Sequence, residues 1–212
     1  MSQNWEKTPG KTDGCLTPYT GQLDVLTPED LAYFNGHYEI PFAHRFIQRG
    51  MDGSRYALPI FAPNGDTRGY VLRKGWAGSP LDGRSYGDKK ALTYMHKAAP
   101  VQSSYIATGQ PTRPLILVED QLSAMKLFTD GYNAVALLGV PNGGNIGADR
   151  VREIARIQAG EVVVALDADA TTNALEFVRK YGMAFRKKIR VAILDRDLKD
   201  TPKRQFREVL GI

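Results

Sequence analysis

The sequence predicts an α/β protein in which a parallel sheet flanked by helices follows a smaller α+β portion. In the C-terminal half, short continuous apolar runs such as LILV and VVVAL alternate with amphipathic segments, which is typical of parallel strands covered on both faces. In the N-terminal half, YALPIF and RGYVLR flank a Pro-Asn-Gly-Asp turn, which predicts an antiparallel hairpin. A chain of 212 residues with 42% hydrophobic residues can bury such a core.

The N-terminal half divides into two parts. Residues 1–26 mix glycine and proline with polar residues without a sustained period, which predicts an extended arm. Residues 27–111 form the small α+β subdomain. Its first helix is predicted to begin at Thr27-Pro28-Glu29-Asp30. Thr27 is the N-cap, Pro28 lies in the first turn, and an acidic residue stands three positions after the cap. A second short helix is predicted over FAHRFIQR, ended by Gly50, and the antiparallel hairpin follows it.

The third part, residues 112–212, alternates predicted strands with predicted helices. The strands are RPLILV, NAVALL, VVVAL and IRVAIL, and the helices span residues 120–128, 149–158, 172–181 and 202–210. In open parallel sheets, ligands bind at the carboxyl ends of the strands. The residues that follow these strands are therefore the candidates for chemistry.

Acidic residues follow three of the four strands. Glu119 follows LILV, Asp167 and Asp169 follow VVVAL, and Asp195 and Asp197 follow IRVAIL. Side chains two apart along an extended strand share a face, so we expect Asp167 and Asp169 to face one point and Ala168 to face away. Two charges about 4 Å apart repel by roughly 4 kcal/mol at an effective dielectric constant near 20, so a cation is expected there.

The chemistry of these side chains indicates which cation they would bind. Carboxylates without His or Cys partners favour Mg²⁺ or Mn²⁺ and point to phosphoryl transfer. The alternative is that each aspartate only caps a helix or forms a turn, which is the favoured interpretation of Asp120 and of Asp195 taken alone.

Each of two further segments allows two interpretations. The second strand leads into LGVPNGGNIG, whose glycines either allow close approach to an anion or form a tight turn. The run RKYGMAFRKKIR, residues 179–190, is either a solvated surface or a contact for a phosphate backbone.

Charge and cysteine content narrow the class of protein. A net charge of +5 permits an anionic partner without requiring one. Cys15 is the only cysteine and the three histidines are scattered, which excludes a zinc ribbon and an intramolecular disulfide framework. With no signal-like start and no run of 18 apolar residues, we expect a cytoplasmic protein without a membrane segment.

The acidic motifs resemble those of a known domain family. Glu119 after LILV, NAVALLG, and the acidic pair in ALDADAT resemble the TOPRIM domain of primases, topoisomerases and several nucleases, over about residues 113–203. In that family a glutamate follows the first strand and an Asp-x-Asp follows the third. The resemblance implies a TOPRIM-like sheet here.

The preceding half resembles one branch of that family, the bacterial and phage primases. AHRFIQRGM resembles the stretch that precedes their catalytic core, YALPIFAPNGDTRGYVLRK resembles their hairpin, and GDKKALTY stands where they carry a lysine and tyrosine segment. Pro59, Gly65, Gly69 and Arg73 occupy the matching hairpin positions. The resemblance implies a phage-type primase core without the zinc-binding domain, which joins NTPs into RNA primers on single-stranded DNA with Mg²⁺ or Mn²⁺.

The resemblance also implies residue roles. Glu119, Asp167 and Asp169 would hold metal, with Asp195, Asp197 or Asp200 at a second metal, and Arg73 and Lys90 would hold phosphates. The segment from Arg84 to Lys97 mixes basic residues with aromatics, which suits a single strand or a solvated loop; Lys89, Lys90, Arg84, Tyr94 and Lys97 are its candidate nucleotide and DNA contacts. Lys199-Asp200-Thr201-Pro202 departs from the family's third acidic motif, so the second metal stays open.

Two alternatives share this fold. One is a metal-dependent TOPRIM nuclease that uses the same acids to cleave a phosphodiester. The other is a non-catalytic nucleic-acid-binding module that assembles with a replicative helicase. A primase would also have the helicase as a partner and, if phage-encoded, would act in the cytoplasm of the bacterial host.

Overall fold

The computed structural model describes residues 19–50, 53–85, 87, 89–95, 104–106, 110–139 and 146–212. The strands of this part of the chain are β1 Leu23–Asp24, β2 Gln48–Gly50, β3 Arg55–Phe61, β4 Thr67–Lys74, β5 Ala91–Met95, β6 Ser104–Ile106, β7 Leu115–Val118, β8 Asn133–Ala136, β9 Glu161–Val164 and β10 Lys188–Val191. Its α-helices are α1 Pro28–Tyr38, α2 Gln121–Thr129, α3 Ala148–Ala155, α4 Thr171–Tyr181 and α5 Phe206–Leu210.

The first sheet is antiparallel and has the order β1-β2-β3-β4-β5. The predicted hairpin is confirmed as β3 and β4. At its turn the Asn64 side-chain amide donates to the Asp66 carboxylate at 2.7 Å, and Gly65 has φ +88°, which favours glycine. Arg73 lies on the second strand of this hairpin, at the end away from the turn.

Helix α1 packs on one face of this sheet. The predicted start is confirmed, because the Thr27 side chain accepts from the Asp30 amide and the Asp30 carboxylate accepts from the Thr27 amide. Phe34 is fully buried, with its ring edge-on to the rings of Tyr56 and Trp76 at 5.1 and 5.6 Å. This aromatic cluster fixes α1 against the strands.

The predicted second helix over residues 42–49 is wrong. The chain makes a single 3₁₀ turn, Ala43–Arg45, and then enters strand β2. Gln48 and Arg49 pair with Ala57 and Tyr56 of β3. Sheet pairing outweighs the helical pattern of such a short segment, which is too short to be a stable helix by itself.

The second sheet has the order β10-β9-β7-β8-β6. Its first four strands are parallel, as predicted, but β6 lies antiparallel to β8 at the edge, so the expectation of a wholly parallel sheet is wrong there. Strand β6 precedes residue 112, so this sheet takes a strand from the segment assigned to the first subdomain. An edge strand of three residues has no periodicity that the sequence could reveal.

Both faces of the second sheet are buried. Ile116 and Val118 of β7 belong to a core shared with the first sheet. Leu115 and Leu117 face a second core, which includes Phe177 of α4. Burial on both faces explains the continuous apolar runs. Helices α2, α3 and α4 confirm the predicted positions, whereas the predicted last helix begins as a 3₁₀ turn, Lys203–Gln205, before α5.

Polar contacts fix the two sheets to each other. The Gln121 side-chain amide donates to the carbonyl oxygens of Leu58 and Pro59, at 3.3 and 2.6 Å. The Arg68 guanidinium of β4 makes two hydrogen bonds to the Glu153 carboxylate of α3. The hairpin is thereby held at the edge of the sheet where α2 begins. No helix in the described ranges is long and apolar enough to cross a membrane.

Candidate active site

The acidic residues predicted at the strand ends do not lie on a strand. Strand β9 ends at Val164, and Asp167 begins a 3₁₀ turn, Ala168–Ala170. The prediction that Asp167 and Asp169 share a strand face is therefore wrong. Asp169 is exposed on the turn, whereas Asp167 is half-buried. Ala165 still donates its amide to the Leu117 carbonyl at 2.8 Å, and Ala165 and Leu166 are buried before the chain turns.

Asp167 lies in a strongly unfavourable environment for a negative charge. Burial raises its pKa, and the carboxylates of Asp120, Asp197 and Glu119 raise it further, to about 7. Lys199 opposes the increase with its own charge. The proximity of carboxylates that the sequence argument expected at this edge is thus present, although a turn rather than a strand produces it.

Glu119 shares this environment. It follows β7 directly, and its pKa is raised by burial first and then by the charges of Asp169, Asp120 and Asp197. The Glu119 carbonyl accepts the amide of Leu138 at 2.9 Å, which fixes the end of β7 beside the chain that leaves β8. The charges of neighbouring acids thus act on both Glu119 and Asp167. We call this set the acidic cluster; its members are Glu119, Asp120, Asp167, Asp169 and Asp197.

Asp120 is a member of the cluster that the sequence analysis assigned only to helix capping. The capping is confirmed: Oδ1 of Asp120 accepts from the amides of Leu122 and Ser123 at 2.8 and 3.1 Å. The charge of Asp120 also raises the pKa of Asp167. Its position directly after Glu119 is the signal that could have assigned it to the site.

Lys199 is the second residue that sequence reasoning missed. Its ammonium bonds the Asp197 carboxylate and lies 3.4 Å from Oδ2 of Asp120 and 3.9 Å from Oδ2 of Asp167. Burial lowers its pKa, but the charges of Asp120 and Asp197 outweigh burial and raise it. Oδ1 of Asp197 also accepts the amide of Ala168, at 3.3 Å.

Two predicted acids lie outside these contacts. Asp195 and Asp200 are exposed. Asp200 contributes to the raised pKa of Tyr38 in α1, after burial and the hydrogen bond with Tyr33. Asp197, which also follows β10, raises the pKa of both Glu119 and Asp167 through its charge.

Arg73 brings the hairpin to the acidic cluster. Its guanidinium lies over the ring of Trp76, 4.7 Å from the ring centre. Burial lowers the pKa of Arg73, whereas the charges of Asp120 and Asp167 oppose that decrease, so both acids act on the arginine through their charge. Trp76 was not predicted as part of the site, because its contact with Arg73 exists only once β4 is paired.

The predicted lysines lie next to Arg73 along the sheet. Arg73 pairs with Ala91 of β5, and the Lys74 amide donates to the Lys90 carbonyl at 3.1 Å. Lys89, Lys90 and Arg84 have exposed side chains, and Tyr94 is half-buried beside Tyr19, with 5.4 Å between ring centres. Lys97 lies outside the described residues, as do residues 140–145 of the glycine-rich loop.

The donor atoms at this edge suit a hard divalent cation. Carboxylate oxygens are the ligands that Mg²⁺ and Mn²⁺ prefer, and the raised pKa values of Asp167 and Glu119 show negative charge that such an ion would relieve. Within the described part of the chain, however, no three His, Cys, Asp or Glu side chains converge closely enough to hold a metal. The acids are arranged around the Lys199 ammonium.

The basic run 179–190 lies away from these acids. It covers the end of α4, a 3₁₀ turn and β10, at the sheet edge opposite the carboxyl ends of the strands. Met183 is 97% exposed in it, and Lys187 donates to the Ile157 carbonyl at 2.5 Å. Phe185 of the run is buried in the second core, whereas Arg186 and Lys188 are exposed, and contact of these basic residues with a phosphate backbone stays a prediction.

The fold is similar to those of solved primase structures. The Aquifex aeolicus primase, comprising zinc-binding and RNA polymerase domains, matches with a TM-score of 0.59 and 16% identity, over 92% of this chain and 50% of that one. The E. coli primase catalytic core matches with 0.54 and 21% identity, over 74% and 52%. The primase fragment of the bacteriophage T7 primase-helicase protein matches with 0.50 and 15%, over 92% and 76%.

No protein-family model and no curated protein matches this chain. It spans about half the length of the Aquifex aeolicus and E. coli structures. The structural likeness nevertheless establishes the fold: a TOPRIM-type sheet preceded by an α+β subdomain, as in the catalytic cores of bacterial and phage primases.

Proposed function

We propose that the chain is a DNA primase catalytic core, which joins ribonucleotides into short RNA primers on single-stranded DNA. One observation carries the proposal: acids that follow β7, β9 and β10 gather around the Lys199 ammonium, and the charges of two of them, Asp120 and Asp167, act on Arg73 of the hairpin. A nucleotidyl transfer needs both features, since acids can hold a divalent ion and an arginine can hold the triphosphate.

Glu119, Asp167 and Asp169 would hold Mg²⁺ or Mn²⁺, with Asp197, or the exposed Asp195 and Asp200, at a second position. When bound, the ion supplies charge neutralisation at the phosphates and lowers the pKa of the attacking hydroxyl. In the reaction, the 3′ oxygen of one ribonucleotide bonds to the α-phosphorus of the next, and the bond to pyrophosphate breaks.

The hairpin side chains would hold the substrates. Arg73, supported by the Trp76 ring, would contact the triphosphate, and exposed Lys90 beside it would help to hold the phosphates. Lys89, Arg84 and Tyr94 would follow the template backbone and its bases, and Lys97 continues this sequence pattern. The side chains contribute positioning and charge and form no covalent intermediate.

The partners follow from this activity. The template is single-stranded DNA and the substrates are NTPs; one similar structure is titled as a primase catalytic domain bound to single-stranded DNA. The T7 fragment comes from a primase-helicase protein, which supports a replicative helicase as a further partner. A chain with these roles would act in the bacterial cytoplasm, and in that of the host if it is phage-encoded.

The test is a primer-synthesis assay with single-stranded DNA, labelled NTPs and Mg²⁺ or Mn²⁺. We expect short RNA products that require NTPs. In the double variant Asp167→Asn/Asp169→Asn these products should fall by at least about a hundredfold, because the divalent ion loses its ligands. The matched control is Asp149→Asn, an exposed aspartate at the start of α3, which should keep full activity.

Two outcomes would contradict the proposal. Shortening of the DNA without NTPs, lost in the double variant, would show a nuclease. Binding of single-stranded DNA without products, equal in the wild type and the double variant, would show an accessory binding module.

A further inference from the structure

Strand β10 is an edge of the second sheet. Its inner side pairs with β9, and no strand of the described residues pairs with its outer side. The Ala192 amide donates inward, to the Val164 carbonyl at 2.9 Å. Because backbone groups alternate in direction along an extended chain, the amides of Val191 and Ile193 point outward. Such outward groups at a sheet edge can pair with a strand of another chain.

The side chains of this edge alternate between basic and apolar. Lys188 and Arg190 are basic, whereas Ile189, Val191 and Ile193 are apolar. Ile189 and Val191 pack against the second core, on the face of the sheet where α4 lies. Ile193 continues this apolar face, because the residues on both sides of it are buried in the core of the opposite face. Its side chain is 69% exposed.

Helix α4 adds apolar surface beside Ile193. A methyl group at Gly182, where α4 ends, would lie 3.6 Å from Cγ2 of Ile189, so this end of the helix lies against the start of β10. Leu175 is seven positions earlier, on the same helix face and about 10 Å along the axis. Since α4 connects two parallel strands and runs against them, Leu175 lies toward the end of β10 that carries Ile193. Leu175 is 53% exposed.

The opposite face of the edge is basic. Lys188 is 72% exposed, and it shares one carboxylate, that of Glu161, with Arg190, at 3.6 and 3.4 Å. One acid thus faces two basic side chains. Residues 171–196 contain seven basic and two acidic residues, so this segment alone has the formal net charge of the whole chain, +5. The excess positive charge of the chain therefore lies in α4, β10 and the segments next to them.

These features select the kind of partner. A second copy of β10 would bring Lys188 and Arg190 against the same charges, which opposes pairing. Single-stranded nucleic acid stacks on aromatic rings, but in the described part of this segment the large exposed apolar side chains are Leu175, Met183 and Ile193, none of them aromatic. An extended polypeptide in which acidic and apolar residues alternate matches both faces of the edge.

We propose that the outer side of β10 binds an extended acidic segment of another protein, which adds to the second sheet as a further strand. Its backbone would pair with the outward groups of β10. Its apolar side chains would contact Leu175 and Ile193, and its carboxylates would lie beside Lys188 and Arg190. The inference is independent of the proposed function, because none of these residues belongs to the acidic cluster or to the hairpin.

The experiment measures binding of a synthetic octapeptide in which Ile and Val alternate with Asp and Glu, by fluorescence anisotropy with the whole chain. We expect saturable binding to the wild type. Ile193→Ser should weaken it at least about tenfold, because apolar contact is lost. Lys188→Glu should weaken it by a similar factor, because like charges then meet. Both side chains are exposed, and circular dichroism checks that the variants fold.

Matched controls lie elsewhere on the surface. Val25→Ser changes a valine that is 82% exposed beside β1, and Arg152→Glu reverses a charge on α3 that is 65% exposed. Both should bind the peptide with unchanged affinity.

A second measurement tests the backbone pairing. The same peptide with N-methyl groups on alternate residues cannot donate to β10 and should lose at least about tenfold in affinity. With the unmodified peptide, hydrogen exchange followed by NMR should slow at the amides of Val191 and Ile193. Exchange at Ala192, which already donates to Val164, should change little.

Several results would overturn the inference. These are no binding of the peptide to the wild type, equal binding of the methylated peptide, and unchanged affinity in both Ile193→Ser and Lys188→Glu. If the wild type does not bind the peptide but binds a single-stranded oligonucleotide that Lys188→Glu releases, the basic run contacts a phosphate backbone instead. Dimerisation of the wild type that Ile193→Ser abolishes, without peptide binding, would assign the edge to a second copy of the chain.

Discussion

Two aspartates of this molecule illustrate opposite uses of a buried carboxylate. Asp30 is fully buried in α1, where its carboxylate accepts hydrogen bonds from Arg49, Tyr56 and the Thr27 amide, at 2.7 to 3.0 Å. Burial raises its pKa, but the hydrogen bonds from Arg49 and Tyr56 outweigh burial and lower it. Asp167 is half-buried among other acids, and its pKa rises to about 7.

The two aspartates differ in the charges of the groups that surround them. The charge of Asp30 is neutralised within the fold, so this aspartate stabilises the first subdomain. The charge of Asp167 is left in excess, beside a lysine shared among several carboxylates. Acids kept in such an environment are characteristic of sites that bind a cation or transfer protons.

The largest expected effect on stability comes from breaking the ion pair between Asp30 and Arg49. Asp30→Asn removes the negative charge beside the largely buried guanidinium of Arg49, so we expect the free energy of unfolding to fall by about 3–5 kcal/mol. Urea unfolding followed by circular dichroism measures this change. Asp24→Asn, at an exposed position of β1, is the control and should change little. An equally small change for Asp30→Asn would show that the Arg49 pair does not stabilise the fold.

The second prediction concerns the acids left in excess. A divalent ion requires ionised Asp167, so with a pKa of about 7 we expect Mn²⁺ affinity to fall as pH decreases below 7. The loss approaches about tenfold per pH unit, and affinity levels off above pH 8. Titrations with Mn²⁺ between pH 5.5 and 8.5 measure it. Asp167→Asn should bind more weakly and lose the pH dependence; the same dependence in that variant would assign it to another group.

The third prediction has the smallest effect, and it is a gain in stability, whereas Asp30→Asn lowers stability. A folded-state pKa raised above the unfolded one means that the carboxylate of Asp167 costs stability as pH rises from about 4 to 7, and the full cost persists above 7. Asp167→Asn removes that cost. A rise of about three pKa units corresponds to about 4 kcal/mol, and loss of the attraction to Lys199 offsets the larger part of it. We therefore expect Asp167→Asn to stabilise the metal-free protein by about 1 kcal/mol at pH 8 and to have almost no effect at pH 4. Thermal unfolding at both pH values tests this, and destabilisation at pH 8 would contradict it.

Features with local causes were predictable. The capping box of α1 and the turn at Asn64 depend on residues three or fewer apart, and the structure confirms both. The same holds for the capping role of Asp120. Arg49 lies in AHRFIQRGM, one of the segments that resemble primases, and its side chain pairs here with Asp30.

Features with distant causes were not predictable. Lys199 contacts Asp120, 79 positions earlier in the chain, and its main chain is held by Ser123, 76 positions earlier. The strand β2 and the edge strand β6 form only because β3 and β8 offer open edges to pair with. A short segment has no pattern that reports a partner so far away.

The sequence by itself determined the alternation of strands and helices, the hairpin and which acids come after the strands, because periodicity and turn chemistry are local properties. Tertiary structure alone decided how those acids act. Strand β9 ends before Asp167, α2 places Asp120 beside it, and the chain after β10 inserts Lys199 between them. The charge on a buried carboxylate depends on what the fold places within a few ångströms, and distance along the chain does not report that.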